Sequence, residues 1–396
     1  GVGEVGWSAA HRSVFEHRAV VVASGREELL EGLRAPVVTG AAAGSVGRSV
    51  LVFPGQGTQW AGMGAELLDS SPVFAARMGE CAAALGPFVD WDVMEVVRSG
   101  AGLERVDVVQ PVTWAVMVSL AEVWASAGVK PDAVVGHSQG EIAAAVVSGA
   151  LSLEDGARVV ALRSQVIGRV LAGAGGMASV ALPAGAVEER LTGWAGRLGV
   201  AAVNGPAITV VSGEAGAVGE FVAACERDGV RARRIAVDYA SHSSQVEAIE
   251  TELAGLLGPV RAREPKVPFY STVEPGKQVR TDGGYWYRNL RRQVRFADTI
   301  TTLLADGFGT FIEASAHPVL TMGIQELADQ TTADTPSSAD TVIVGTLRKG
   351  EGGLHRLWTS MAEAFVQGVA VDWKAAYTAH GLTARRIDLP TYPFQR

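Results

Sequence analysis

In the stretch "VVGHSQGEIAAA", Val134 to Ala145, one serine stands between two glycines: Gly136 and an apolar run precede Ser138, and Gly140 and an alanine-rich, helix-like run follow it. A G-x-S-x-G pattern at a strand-to-helix turn is a nucleophile elbow, in which the glycines permit the sharp turn and keep side chains off the hydroxyl. The plainer reading is a serine that caps a helix. The first N–H groups of the following helix point back at the turn with partial positive charge, so the amide of Gln139 can hold an oxyanion there. A second donor is expected from "PGQGTQ", where glycines on both sides of Gln56 let its backbone approach a ligand, although a plain glycine turn accounts for the same residues.

A serine hydroxyl attacks only when a base takes its proton. Of the seven histidines, His242 has the best setting. It follows the predicted strand "RRIAVDYA" and precedes a predicted helix opened by Ser243 or Ser244, with Glu247 completing a capping box. That places it on the same sheet edge as Ser138. His137 adjoins the nucleophile but, as a chain neighbour, points away from it and is expected to shape the pocket. No carboxylate is placed to orient His242, so a backbone carbonyl from the segment around Ala316 and His317 is expected to do so.

Arginine adds a discriminating feature. "SLEDGARVVALRSQVIGRVL" reads as a helix with Ser152 as its cap, and at about 100° per residue Arg163 lies roughly 140° from Arg158 and 120° from Arg169. Its neighbours three and four residues away are Val159, Val160, Val166 and Ile167. A charge on such an apolar face needs an anionic partner, which is either an internal acid or a substrate carboxylate gripped bidentately by the guanidinium. An ordinary esterase has no use for the second.

The elements that must position these residues are those of an α/β protein. From Val50 onward, short apolar strands end in glycine or small polar residues and lead into amphipathic helices, and four such junctions carry the motifs, the fourth at "GTFIEASAHPVLT". Open α/β sheets bind ligands at the carboxyl ends of their strands. Between residues 177 and 238 the order changes to βαββαβ, as in ferredoxin-like domains. The expected organisation is a lead-in linker over 1–49, a large, mostly parallel, hydrolase-like subdomain over 50–176 and 239–346, an inserted ferredoxin-like subdomain over 177–238, and a tail over 347–396 with one amphipathic helix. "TTADTPSSAD", 331–340, reads as a polar loop.

Composition narrows the classes. The chain has 396 residues, 48% hydrophobic and 19% charged, enough to bury a large core. A formal charge of −8 argues against broad binding to nucleic acid or an anionic membrane. Two cysteines, Cys81 and Cys225, form no metal-ligand spacing, so no metal is expected. So few cysteines, no signal-like start, and charges that interrupt the apolar runs before membrane-spanning length lead us to expect a cytoplasmic protein.

Together, "GQGTQW", "GHSQGE", the arginine on the next helix and "YASHS" resemble the acyltransferase domain of modular type I polyketide synthases, within the malonyl-CoA:acyl carrier protein transacylase superfamily. The likeness covers nearly the whole chain. The lead-in resembles a ketosynthase-to-acyltransferase linker, and "LPTYPFQR" resembles the end of a post-acyltransferase linker. The resemblance implies a nucleophile at Ser138, a base at His242 held by a backbone carbonyl, a carboxylate grip at Arg163, and oxyanion donors at the amides of Gln56 and Gln139. It implies an acyl-CoA substrate, a phosphopantetheine arm on an acyl carrier protein as acceptor, neighbouring synthase domains such as a ketosynthase as partners, and no bound cofactor.

"YASH", "GHSQG" and "RVDVVQ" (Arg105 to Gln110) further resemble domains selecting methylmalonyl-CoA, whereas malonyl selectors typically carry "HAFH". This marks Tyr239, Ser241, Gln139 and Gln110 as specificity residues, with Ser241 leaving room for an α-methyl where a phenylalanine would crowd the pocket. One methylene is worth only about 1 to 3 kcal/mol, so a preference is expected and not an absolute choice. Carrier docking would need local positive charge, for which "YRNLRRQVRF" (287–296) and "RARR" (231–234) are candidates; most charge runs are simply solvated faces. The rivals are a serine esterase or thioesterase of the α/β-hydrolase type, which needs a carboxylate in a triad, and a silent scaffold.

Overall fold

Branched and aromatic runs alternate with glycine-bounded helices along most of the chain, and the strands sort into three sheets. The computed structural model describes residues 1–42, 46–334 and 341–391. In chain order the strands are β1 (His17–Val20), β2 (Val38–Ala41), β3 (Arg48–Phe53), β4 (Ala133–Gly136), β5 (Gly175–Val180), β6 (Leu198–Gly205), β7 (Ile208–Glu214), β8 (Ala232–Arg234), β9 (Phe269–Tyr270), β10 (Phe308–Glu313) and β11 (Val342–Gly345).

The central sheet has the order β11-β10-β3-β4-β9 and every pairing in it is parallel. Its strands are almost continuously apolar because helices cover both faces. Phe53 is in register with Gly136, so the loops after β3 and β4 leave the sheet side by side. The order in which strands are added reverses at β3: β4 and β9 lie on one side of it and β10 and β11 on the other, which makes its carboxyl end a natural ligand crevice. The helix Val106–Ser126 packs among the helices Pro72–Leu85, Gly140–Ser148 and Leu153–Val170, with Trp114, Leu120 and Trp124 buried. By length and composition it could cross a membrane, contrary to the expectation that charges interrupt every apolar run. Of its apolar 18-residue stretch, 89% is buried inside the protein, as in the core helix of a globular fold.

The second sheet has the order β6-β7-β5-β8, antiparallel throughout, and shares a core with the helices Ala184–Leu191 and Ala215–Arg227. This is the ferredoxin-like arrangement read from the βαββαβ order. Ala201, Ala202 and Val210 of this sheet pack into a cluster with Val50, Val52, Val135 and Phe296, which seats it on the parallel sheet.

Several local expectations change. The strand predicted over "RRIAVDYA" stops at Arg234, and the chain reaches His242 as an irregular segment. The helix predicted after His242 begins as a 3-10 turn, Ser244–Ile249, before the α-helix Glu250–Leu257. Ser243 caps that turn, while Glu247 pairs with Arg291 and does not complete a capping box. The lead-in holds two helices, Val2–Ala9 and Arg26–Arg34, and a two-stranded antiparallel sheet of β1 and β2. The tail has two helices where one was expected, Leu354–Val366 and Trp373–Ala379, because Asp372 caps a second start by accepting from Ala375 N–H at 3.0 Å. The two ends of the chain meet: Ile387 N–H donates to Ser8 Oγ at 2.8 Å, and Arg12 Nη2 donates to the carbonyls of Leu389 and Pro390. The polar stretch 331–340 begins as the end of the helix Thr321–Asp334, and its remainder, with the last five residues of "LPTYPFQR", lies outside the described residues.

Candidate active site

The turn after β4 is built by close backbone approach. A Cβ added at Gly136 would sit 2.2 Å from Glu141 N, and one added at Gly140 would sit 2.0 Å from Phe53 O, so neither position accepts a side chain. His137 N–H donates to Phe53 O at 2.8 Å and ties the turn to β3. Ser138 is thereby held at φ 53°, a left-handed conformation that is costly for a residue with a Cβ and is kept only where the surroundings enforce it. The helix Gly140–Ser148 starts immediately beyond.

Ser138 Oγ lies 2.8 Å from His242 Nε2. His242 is 6% exposed and is itself at φ 60°. Its Nδ1 lies 2.7 Å from Arg292 O, and its N–H donates to Leu290 O at 2.9 Å. A carbonyl only accepts, so Nδ1 carries the proton and Nε2 presents a lone pair to the serine hydroxyl. Burial, opposed by the Arg292 carbonyl and aided by nearby His137 and Arg163, pushes the imidazole pKa down to about 3. The ring is therefore neutral, as a base must be before attack.

The carbonyl that holds the ring is not where the sequence placed it. Ala316 O accepts from Trp60 Nε1, and His317 Nδ1 accepts from Lys349 N–H. The corrected segment is 290–294, at the end of the helix Gly283–Arg291, and it is pinned from both sides. Val294 exchanges backbone hydrogen bonds with Ala201 and Val203 of β6, while Arg295 N–H donates to Thr272 O.

Arg163 lies on the helix Leu153–Val170, whose cap Ser152 accepts from Asp155 N–H at 3.0 Å. It is 1% exposed and makes no ion pair among the described residues. Nη1 donates to Asn289 Oδ1 at 2.7 Å, and Nε has no partner among the described residues. Burial lowers its pKa to about 10, which leaves the guanidinium charged at neutral pH. The internal acid considered for it exists but stands one residue away. Glu141, fully buried, accepts from Asn289 Nδ2 at 2.8 Å, from Tyr285 OH at 2.6 Å, and from both the N–H and the hydroxyl of Thr272. Burial raises its pKa to about 6 against those hydrogen bonds. Asn289 also donates to Ser138 O at 3.1 Å.

The remaining expected residues gather around this centre. A side chain at Gly55 would come within 3.7 Å of Ser138 Cβ, so the Gln56 loop lies against the elbow. Among the described residues, no protein acceptor engages the backbone N–H of Gln56 or of Gln139. Gln110 Nε2 donates to Tyr239 OH at 3.0 Å, and Tyr239 OH donates to Gln56 Oε1 at 2.7 Å. Gln139 Nε2 donates to Thr113 Oγ1 at 3.2 Å, and Ser241 is 7% exposed beside the base. The side-chain acceptors Oε1 of Gln110 and of Gln139 are buried without partners among the described residues, as is the donor Nε of Arg163. His137 is half-buried, with Nε2 2.7 Å from Asn204 Oδ1 and its ring edge-on to Phe296.

Asn289, Glu141 and the Arg292 carbonyl were not read from the sequence. Glu141 looks like an acid favouring a helix N-terminus, and Asn289 hides in the basic run "YRNLRR". That run is also less basic than it reads: Arg288 and Arg292 pair with Glu274, Arg291 with Glu247 and Arg295 with Asp298. By contrast, Arg231, Arg233 and Arg234 make no ion pair among the described residues. No group of three histidine, cysteine or carboxylate side chains among the described residues is arranged to hold a metal.

A family model described as acyl transferase domain matches residues 50–371. The chain is 57% identical over 395 residues to the pikromycin polyketide synthase component PikAII of Streptomyces venezuelae, covering 98% of this chain and 10% of that protein. It is 55% identical over 404 residues to polyketide synthase GfsE of Streptomyces halstedii, covering 99% of this chain and 10% of the other. The chain thus spans about a tenth of the length of the curated relatives it matches. Among solved structures, the acyltransferase domain from module 8 of the salinomycin polyketide synthase superposes with a TM-score of 0.87 at 56% identity, over 92% of this chain and 88% of that one. The chain belongs to the acyl transferase domain family, among the acyltransferase domains of modular polyketide synthases.

Proposed function

We propose that this domain moves a methylmalonyl group from CoA to the phosphopantetheine thiol of an acyl carrier protein, by way of an acyl-Ser138 intermediate. His242 Nε2 takes the hydroxyl proton as Ser138 Oγ attacks the thioester carbonyl, and the amides of Gln56 and Gln139 receive the developing oxyanion. Collapse breaks the carbon–sulfur bond, and the departing CoA sulfur takes the proton from His242. The carrier thiol then gives its proton to His242 and attacks the acyl-serine, and the proton returns to Ser138 as the ester bond breaks.

The observation that carries the reading is Arg163: a charged guanidinium, 1% exposed, with no acid on it and no partner for Nε among the described residues, joined through one asparagine to the nucleophile's own carbonyl. A buried charge left in this state is costly unless a ligand completes it, and the carboxylate of the extender unit is such a ligand. The Gln110–Tyr239–Gln56 chain supports a fixed wall for the α-substituent, with the small Ser241 beside the base. The carbonyl on Nδ1 of His242 speaks against an esterase triad, which needs a carboxylate there. The acceptor carrier and neighbouring ketosynthase belong to the same reading, supported by relatives that are whole polyketide synthases.

Intact-mass spectrometry after mixing with methylmalonyl-CoA tests it. The expected result is the increment of one methylmalonyl group on the wild type and none on Ser138→Ala. Acylation of Ser138→Ala to the same extent would overturn the assignment.

A further inference from the structure

We propose that Asn289 is the positioning residue that makes Arg163 selective, holding the guanidinium at a fixed distance from the nucleophile while keeping the acid that organises it, Glu141, one step away. The inference rests on Arg163 as the carboxylate grip.

Three bonds converge on one carboxamide: Oδ1 accepts from Arg163 Nη1 at 2.7 Å, and Nδ2 donates to Glu141 Oε2 at 2.8 Å and to Ser138 O at 3.1 Å. A guanidinium only donates, and a carboxylate or a carbonyl only accepts. The amide can therefore satisfy all three in a single orientation; turned over, it would set donor against donor at Arg163 and acceptor against acceptor at Glu141 and Ser138. Glu141 is itself locked by Thr272 and Tyr285, so the amide has no slack from that side.

Neutrality matters as much as geometry. A carboxylate touching Arg163 directly would form a buried ion pair and compete with the substrate for the guanidinium. A neutral amide between them passes on the orientation and leaves the charge available. The bond to Ser138 O adds the second coordinate: the residue that fixes the grip also fixes the elbow, so the carboxylate end and the thioester carbonyl of a short diacid meet their partners together.

A double-mutant cycle tests the role. The quantity measured is the ratio of kcat/KM for methylmalonyl-CoA to that for acetyl-CoA, which is insensitive to the fraction of folded enzyme. Asn289→Ala should lower the ratio about tenfold, mainly through KM for methylmalonyl-CoA, and should add no further loss in an Arg163→Ala background. An unchanged ratio in Asn289→Ala, or losses that add in the double variant, would overturn the positioning role while leaving Arg163 as the grip. If Arg163→Ala itself leaves the ratio unchanged, the grip and its positioning residue fall together. Glu141→Gln keeps the side-chain volume and serves where Asn289→Ala does not fold; it should lower the ratio by roughly threefold or more, and a wild-type ratio there would contradict the role.

Discussion

Ser138 and His242 are the two residues other than glycine with positive φ among those described, and they are held there by different means. The serine corner is local: β4, Gly136, Gly140 and the next helix all fall within residues 133–148, where the start of that helix leaves no room for a side chain at Gly136 and contact with β3 leaves none at Gly140. The histidine corner is assembled from a distance. His242 N–H and Nδ1 rest on carbonyls about fifty residues on, and those carbonyls are stitched to β6 on one side and to the segment after β9 on the other. One half of the dyad is therefore as rigid as the parallel sheet, whereas the other depends on how the antiparallel sheet sits against it.

Replacing the base has the largest expected effect on this pairing. His242→Ala should slow acylation by about a thousandfold with the elbow intact, measured by quenched-flow mass spectrometry. A loss under tenfold would mean that another group takes the proton. Gly140→Ala attacks the local corner. Its methyl meets Phe53 O, so destabilisation on the order of 3 kcal/mol is expected in urea unfolding, and a variant as stable as wild type would show that the turn can yield.

A subtler contrast comes from pH. The folded pKa of His242, about 3, lies below the usual histidine value, so the unfolded chain binds more protons between the two values. The resulting stability is fully present above about pH 6.5 and is lost as pH falls toward 3. His242→Ala removes that contribution, so its Tm should fall less than that of wild type between pH 7 and pH 5; parallel curves would contradict a buried neutral ring. The smallest effect is expected just outside the histidine corner, where Arg291 and Glu247 form a half-exposed pair at 2.6 Å. Arg291→Ala should cost no more than about 1 kcal/mol, and a larger loss would make that surface pair part of the clamp.

The same contrast explains what was legible in the sequence. The elbow could be read because its chemistry is local: two glycines, a serine, an apolar strand and a helix declare themselves within a few residues. Arg163 could be read because a helix has a fixed period, which places its neighbours on an apolar face. The partner of His242 could not, since every residue has a carbonyl and no side chain marks Arg292 as the one that matters. Asn289 was hidden for a related reason. Its role is set by three groups from distant segments, and its own neighbours are surface arginines that pair with acids. The shortened β8 shows the remaining limit: "IAVDY" has strand-like residues, yet Val237 N–H turns back to Ile235 O and Asp238 O accepts from Gly173 and Gly175, so these groups leave the ladder.

The account stands on the hydroxyl, the imidazole and the guanidinium serving one carboxylated acyl group. Its most direct test is kcat/KM of Arg163→Ala for methylmalonyl-CoA beside acetyl-CoA. The account predicts a loss of about a hundredfold for the carboxylated substrate and a far smaller one for acetyl-CoA; equal losses for the two would contradict it.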